Sequence, residues 1–333
     1  MPELSIAPDS EAVISAVEQD LKVGDRARIR PPEGERWIRV PGKLTLGNTC
    51  RVEGSVECGE FHAGENCVVE GDLIAKRVRA RASLVVEGSL TADVVEIDQV
   101  LVVRGNLSVG VLFCNSSLTV DGDVKAREIV CHESAVFNGP VVCDILHIDS
   151  GLQANNGLKA SEVRVHFRSE IRGATEIDLL VADAGCTLEG GYVKRLICAD
   201  RDLVVRGNIR LGETYVGRNA RFEGDVEVEG SFRAERHLYV AGNLIAGGEI
   251  DTGDEANIGG MIRSQTYIRI GPSSIVSGKV VCDRAVLVKR NCLLRDVEAR
   301  VVYIEKGAAV DNIRARAVHI ERGGVVRGSI VRT

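Results

Sequence analysis

Apolar residues in this chain come in pairs spaced by two, and the pairs recur in threes. One set is Leu84 and Val86, Leu90 and Ala92, Val95 and Ile97. A spacing of two puts both side chains of a pair on one face of an extended strand. The whole set then repeats. CVVEGDLIAKRVRARAS (67–83) is followed directly by LVVEGSLTADVVEIDQV (84–100), LVVRGNLSVGVLFCNSS (101–117) and LTVDGDVKAREIVCHES (118–134). With Cys67 as position 1, the inward positions are 1, 3, 7, 9, 12 and 14 of a 17-residue repeat. The spacing does not follow the i, i+3, i+4, i+7 of an amphipathic helix. Three short strands separated by corners make one triangular coil, and stacked coils pair their backbones along an axis. The pattern predicts an all-β fold, a single-stranded parallel β-helix (solenoid) of about sixteen coils over residues 37–333.

Position 5 is Gly from Gly54 to Gly139, then Asn156, then Gly173 to Gly224, all in steps of 17. Gly and Asn tolerate positive φ, so position 5 reads as a left-handed corner. One extra residue near Arg236 and a disturbed stretch at 255–273 break the register. That stretch reads as a tolerated insertion, with a bulge or a contact surface as alternatives. Residues 1–36 do not fit the repeat. Val13, Ile14, Val17 and Leu21 have helical spacing, with Asp9 or Ser10 as N-cap. The expectation is a short N-terminal helix acting as a cap, or a tail, ahead of Trp37.

Composition narrows the function classes. The chain is 44% apolar, 27% charged and only 4% aromatic, with a formal net charge of −6. That suits a thin aliphatic core and does not favour nucleic-acid binding. No apolar run approaches the roughly 18 residues of a transmembrane helix, and MPELSIAPDS lacks the regions of a signal peptide. The expected location is the cytoplasm, with peripheral membrane contact left open.

Candidate chemistry is sparse. Eight of ten cysteines fall at inward positions, where free Cys behaves as a small hydrophobe. Cys198 and Cys292 lie one position off and read as outward. No C-x-x-C occurs, so neither zinc nor another metal is expected. Cys50 with Cys67, and Cys114 with Cys131, should stack on adjacent coils, but a cytosolic setting disfavours disulfides. The six histidines read as solvated surface groups. No phosphate loop or nucleophile elbow appears. Outward positions read as mostly charged; position 4, for example, runs Glu53, Glu70, Glu87, Arg104, Asp121. No catalytic residue and no cofactor are expected, and the chain reads as a non-enzyme.

The phrases VEGDLIA, VRGNL, RFEGDVEVEG, VDGDVKAREIV and HIERGGVVRGSI resemble the bactofilin, or polymer-forming cytoskeletal, family. The resemblance covers roughly residues 37–333. It implies a right-handed β-helix that associates end to end into filaments without nucleotide, with like ends meeting. The usual family core is much shorter and flanked by polar tails. The resemblance thus points to a self-assembling cytoskeletal scaffold, as a homopolymer or end-to-end dimer, with other cytoskeletal or cell-wall proteins as further candidate partners.

An open strand edge templates pairing with another chain. The closing stretch GGVVRGSIVRT shows no cap, and Trp37 opens the repeat region. The expected self-association residues are Trp37, Ile38, Val40, Val325, Val326 and Ile330. Charge is uneven: residues 1–72 carry 14 acids and 8 bases, residues 281–333 carry 6 acids and 11 bases. That asymmetry favours head-to-tail contact, against the like ends of the family. The alternative is a non-polymerising binding module, similar to the β-helical C-terminal domain of the division-site inhibitor. It would need an exposed apolar stripe on one side, which the outward positions do not suggest.

Overall fold

A computed structural model describes residues 3–198 and 202–333. Every regular element among them is a β-strand. The chain divides into two compact units, Met1–Val165 and His166–Thr333. Each winds as a parallel β-solenoid, and together they make about 19 turns of about 17 residues.

The first unit shows why the repeat folds this way. Leu84 stands opposite Cys67 on one side and Leu101 on the other, one full repeat away in each direction. Leu84, Val86, Leu90, Ala92, Val95 and Ile97 are all buried. Positions 1–3 form a first face and 7–9 a second. Positions 12–14 form a third. The last two faces belong to one strand, Leu90–Ile97, bent where Asp93 and Val94 both point outward. Each buried Val, Leu or Ile contributes roughly 1.5–3 kcal/mol, so about six per turn hold a thin core.

Two features differ from the expectations. First, the N-terminal segment is not a helix. Strands Glu3–Ile6, Glu11–Val13, Asp20–Val23 and Arg28–Arg30 are turns of the same solenoid, so residues 3–30 are not a separate cap. Leu4 pairs with Leu21 and Ala12 with Ile29, each a single repeat apart. Leu21 then pairs with Leu44, a longer step that overshoots the repeat. The excess is the loop Pro31–Arg36, turning at Gly34 with φ 85°. Val13 points outward while Val17 and Leu21 point inward, so the helical spacing was coincidental. Residues 1 and 2 of the expected cap lie outside the described residues.

Second, the position-5 glycines have two different reasons. Gly173 and Gly207 do turn through the left-handed region, at φ 77° and 87°. Gly88, Gly105 and Gly122 do not. A Cβ on Gly88 would lie 2.6 Å from the Gly71 carbonyl carbon, and one on Gly122 would lie 2.6 Å from that of Gly105. Each Gly N–H donates to the preceding turn's Gly carbonyl, at 3.1 Å for Gly88 to Gly71. Beside this line runs a polar one. Ser55 Oγ accepts from Asp72 N (3.0 Å), Asp72 Oδ1 from Ser89 N (2.8 Å), Ser89 Oγ from Asn106 N (3.1 Å) and Asn106 Oδ1 from Asp123 N (2.8 Å). Pro140, next in the series, has no N–H to donate.

The second unit changes its turn length. Ile177 pairs with Val193, one residue short of the repeat. Thr214 with Phe232, Ile250 with Ile268 and Ile268 with Val286 each exceed the repeat by one. Val286 with Val302 and Val302 with Val318 fall one short again. The stretch 255–273 is thus an ordinary turn of the longer kind, with Ile258, Ile262, Ile268 and Ile270 buried. The same shifts carry Cys198 opposite Ala182 and Cys292 into the core after Ser274, so both are buried rather than outward.

Candidate assembly surfaces

The expected self-association residues separate into two groups. Ile38 and Val40 are 0% exposed and Trp37 is half-buried. Their strand, Trp37–Leu46, pairs with Ser55–Ala63 on one side. On the other, Arg39 N donates to Ser15 O and Val17 N donates to Arg39 O, both at 2.9 Å. These three residues therefore lie inside the stack. The first turn is built instead from Glu3–Ile6, Glu11–Val13 and Ser15–Val17, with Leu4 41% exposed.

Val325, Val326 and Ile330 lie on the last turn. Val325–Val326 pairs only with the Ala309 end of strand Ala309–Ile320, and Ile330–Arg332 only with its middle. Among the described residues no strand pairs with their other backbone edge. Val325 is 49% exposed and Ile330 44%, joined by Ile320 at 44%. Ile330 occupies the column of Ile313, which is buried one turn earlier. No described strand covers its other side, which leaves it exposed.

A lateral surface also emerges that the outward positions did not suggest. Val68, Val85, Val102, Thr119 and Val136 are the outward middle residues of successive first-face strands, in register. They form a half-buried apolar column. In the second unit Ile275, Leu293, Ala309 and Val325 align in the same way. The column was hidden because inward and outward residues of LVV are both apolar. Beyond it the surface is charged and cross-paired between turns, as in Arg104–Asp121 at 2.9 Å. Three outward tyrosines lie under arginines of neighbouring turns: Tyr192 under Arg210, Tyr239 under Arg221 and Tyr215 under Arg233.

All ten cysteines are buried. They do more than fill space. The thiols of Cys114, Cys131 and Cys282 each donate to the carbonyl three residues on, at 3.3 Å, and Ser264 does the same with its hydroxyl. Cys114 and Cys131 thereby close the corner after the third face, and Cys282 and Ser264 the corner after the second. Burial pushes Cys58 and Cys143 up to about 12, and Cys186 and Cys292 up to about 11. In the in-register pair Cys114 and Cys131, the hydrogen bond between the thiols and then burial push Cys131 up. Thiolate is the reactive form, so Cys58, Cys143, Cys186 and Cys292 of the native protein should react hardly at all with a thiol reagent at mild alkaline pH until denaturant is added. Rapid native labelling of these four would contradict this packing. These groups bind their protons more tightly folded than unfolded. Their stabilising effect is therefore present below the ordinary thiol value of 9.0 and lost as pH rises through about 12.

The histidines are not lone solvated groups. His132 faces Asp149 at 2.7 Å, His166 faces Asp183 at 2.7 Å and His237 faces Glu255 at 3.0 Å, each on a neighbouring turn. His319 stacks on Tyr303 with centroids 4.8 Å apart. Among the described residues no group of three His, Cys, Asp or Glu is placed to hold a metal. No helix there is long and apolar enough to cross a membrane. A shallow groove of about 630 Å³ runs beside Lys43, His62 and Arg79 in the first unit. Its Arg79 is tied to Glu96, and burial, with Lys43 adding, holds His62 below its usual range. Comparison with protein-family models, with curated proteins and with solved structures finds no match.

Proposed function

We propose that this chain is a structural protein that assembles end to end into filaments without nucleotide, catalysis or cofactor. The observation that carries the reading is the last turn. It leaves Ile320, Val325 and Ile330 exposed beside an unpaired strand edge. Such an edge is a template for another strand, and a second copy can supply one. The resemblance of VRGNL and HIERGGVVRGSI to the bactofilin family supports the same reading. Buried thiols that stack in register, such as Cys114 and Cys131, suit a reducing compartment such as the cytoplasm.

The apolar column Val68–Val136 favours a second reading, a module that holds a partner protein on its first face. One comparison separates the two. The wild-type chain is followed by sedimentation velocity and negative-stain electron microscopy without nucleotide, beside Val326→Lys/Ile330→Lys. Wild type should form filaments. The double variant should keep its circular dichroism spectrum and stay unassembled, because two charges at the core mouth cannot be buried unpaired. Filaments from the double variant would remove the last turn as the contact. A wild-type chain that never assembles would sink the scaffold reading and leave the lateral face.

A further inference from the structure

We infer that two copies of this chain pair side by side through the third face of the first unit, with the solenoid axes of those units antiparallel. The contact lies in the middle of the unit and does not depend on the end-to-end reading.

The first observation is an apolar patch. The charged outer surface of the first unit is interrupted on its third face, where the outward residues form two columns. Val94 and Val111 are neighbours in one column, with Ile145 two turns beyond Val111, and Phe113 and Val130 are neighbours in the other. The three valines and Ile145 are half-buried, and Phe113 is 42% exposed. An outward Phe among aliphatic side chains of adjoining turns is a contiguous patch, the kind of surface that marks an interaction site.

The second observation is the charge around the patch, which selects the occupant. In the first column Arg77 stands one turn before Val94, and Glu128 one turn after Val111. The order along the axis is cation, Val, Val, anion. Arg79 pairs with Glu96, but neither Arg77 nor Glu128 has an ion pair among the described residues. Farther out in the same column Lys43 stands two turns before Arg77, and Glu162 two turns after Glu128. A two-fold axis that runs along the strands, midway between Val94 and Val111, reverses the order of turns and sets each column against itself. Val94 then meets Val111 of the second copy, Arg77 meets its Glu128 and Lys43 meets its Glu162, and every contact occurs twice. Phe113 lies on the Arg79–Glu96 pair, whose charges already cancel. The other two-fold, along the solenoid axis, would put Arg77 against Arg79 of the second copy and leave Glu128 against Val130. The face is therefore complementary to itself in one orientation. The strip is about 35 Å long and about 15 Å wide, about 500 Å² per partner, against about 800 Å² in a standard interface. The pairing is accordingly weak, and a measurement that traps it reads it best.

The test is cross-linking between full-length chains. One chain carries Glu60→Cys and the other Ile145→Cys, at positions that the antiparallel axis sets opposite each other and that lie in one column of the same chain. A bismaleimide spanning about two turn spacings, about 10 Å, is added to the mixture. The linked peptides are mapped, which separates these sites from the native cysteines. The expected product is a link from position 60 of one chain to position 145 of the other. A dominant link between two positions 60 would mean parallel pairing, and the absence of both links would mean no contact through this face; either overturns the inference. Arg77→Glu or Glu128→Arg, placed in both chains, opposes like charges twice and should cut the yield about fivefold or more. The two changes together exchange the signs and should restore it. Both positions point outward, so circular dichroism should show an unchanged fold. Single reversals that leave the yield unaltered would also sink the assignment. The readout is the same whether or not the chains join end to end, so its failure leaves that reading standing.

Discussion

Leu90→Asp is expected to unfold the turns on either side of it. Leu90 is fully buried between Leu73 and Leu107, its partners in the same inward column. Removing a core Leu side chain costs about 2–5 kcal/mol through lost burial and the cavity left behind. Placing a carboxylate there adds several kcal/mol, because its column neighbours Leu73 and Leu107 are apolar and buried. The sum is comparable to the roughly 5–15 kcal/mol that stabilises a typical domain. In a solenoid each turn rests only on its neighbours, so damage spreads along the axis before it spreads around it. Hydrogen exchange should show lost protection first in the turns containing Leu73 and Leu107. A urea midpoint indistinguishable from wild type would mean that position 7 does not point inward.

Gly122→Val should be nearly as severe for a different reason. Its Cβ would lie 2.6 Å from both the carbonyl carbon and oxygen of Gly105, and 2.4 Å from Asn106 Oδ1. The backbone cannot rotate away as a side chain would, so the two turns must separate and the Gly122 N–H to Gly105 carbonyl bond (3.1 Å) must lengthen. Overpacking of this kind costs about 3 kcal/mol or more. Gly34→Ala is the contrast. Nothing lies within 4 Å of the added atom, but φ is 85°, so the cost should be only the roughly 1–2 kcal/mol of a left-handed L-residue. Equal losses in the two variants, read from thermal or urea unfolding, would contradict this division of the glycines.

Much of this architecture was legible because two periods coincide. The spacing of two marks the inward residues and the longer repeat stacks them, which places Leu84, Val86, Leu90 and eight cysteines without coordinates. What escaped did so for identifiable reasons. The loop Pro31–Arg36 moves Leu21 out of phase with Leu44, and the remaining apolar residues then happen to fall at helical intervals. Turns one residue shorter or longer than the repeat carry Cys198 and Cys292 inward, though a strict count puts them outside. Gly is chosen both for positive φ and for close backbone approach, so the letter alone cannot separate Gly207 from Gly122. The outward column from Val68 to Val136 was invisible because an exposed β-branched residue between two buried ones reads as core. Of the self-association residues, Val325, Val326 and Ile330 are where the repeat places them. Trp37, Ile38 and Val40 are not, because the hidden turns precede them.

The line of glycines and the Ser55–Asp72–Ser89–Asn106 line beside it have a consequence for inheritance. Each turn there presents to its successor the same backbone and the same acceptor that it received from its predecessor. A gene segment encoding one such turn, Leu84–Val100 for instance, could be copied or lost in frame and the new junction would resemble the old one. Length in that region is therefore a quantity that recombination can adjust in whole steps. Selection can then set the length of that region without altering how one turn there meets the next.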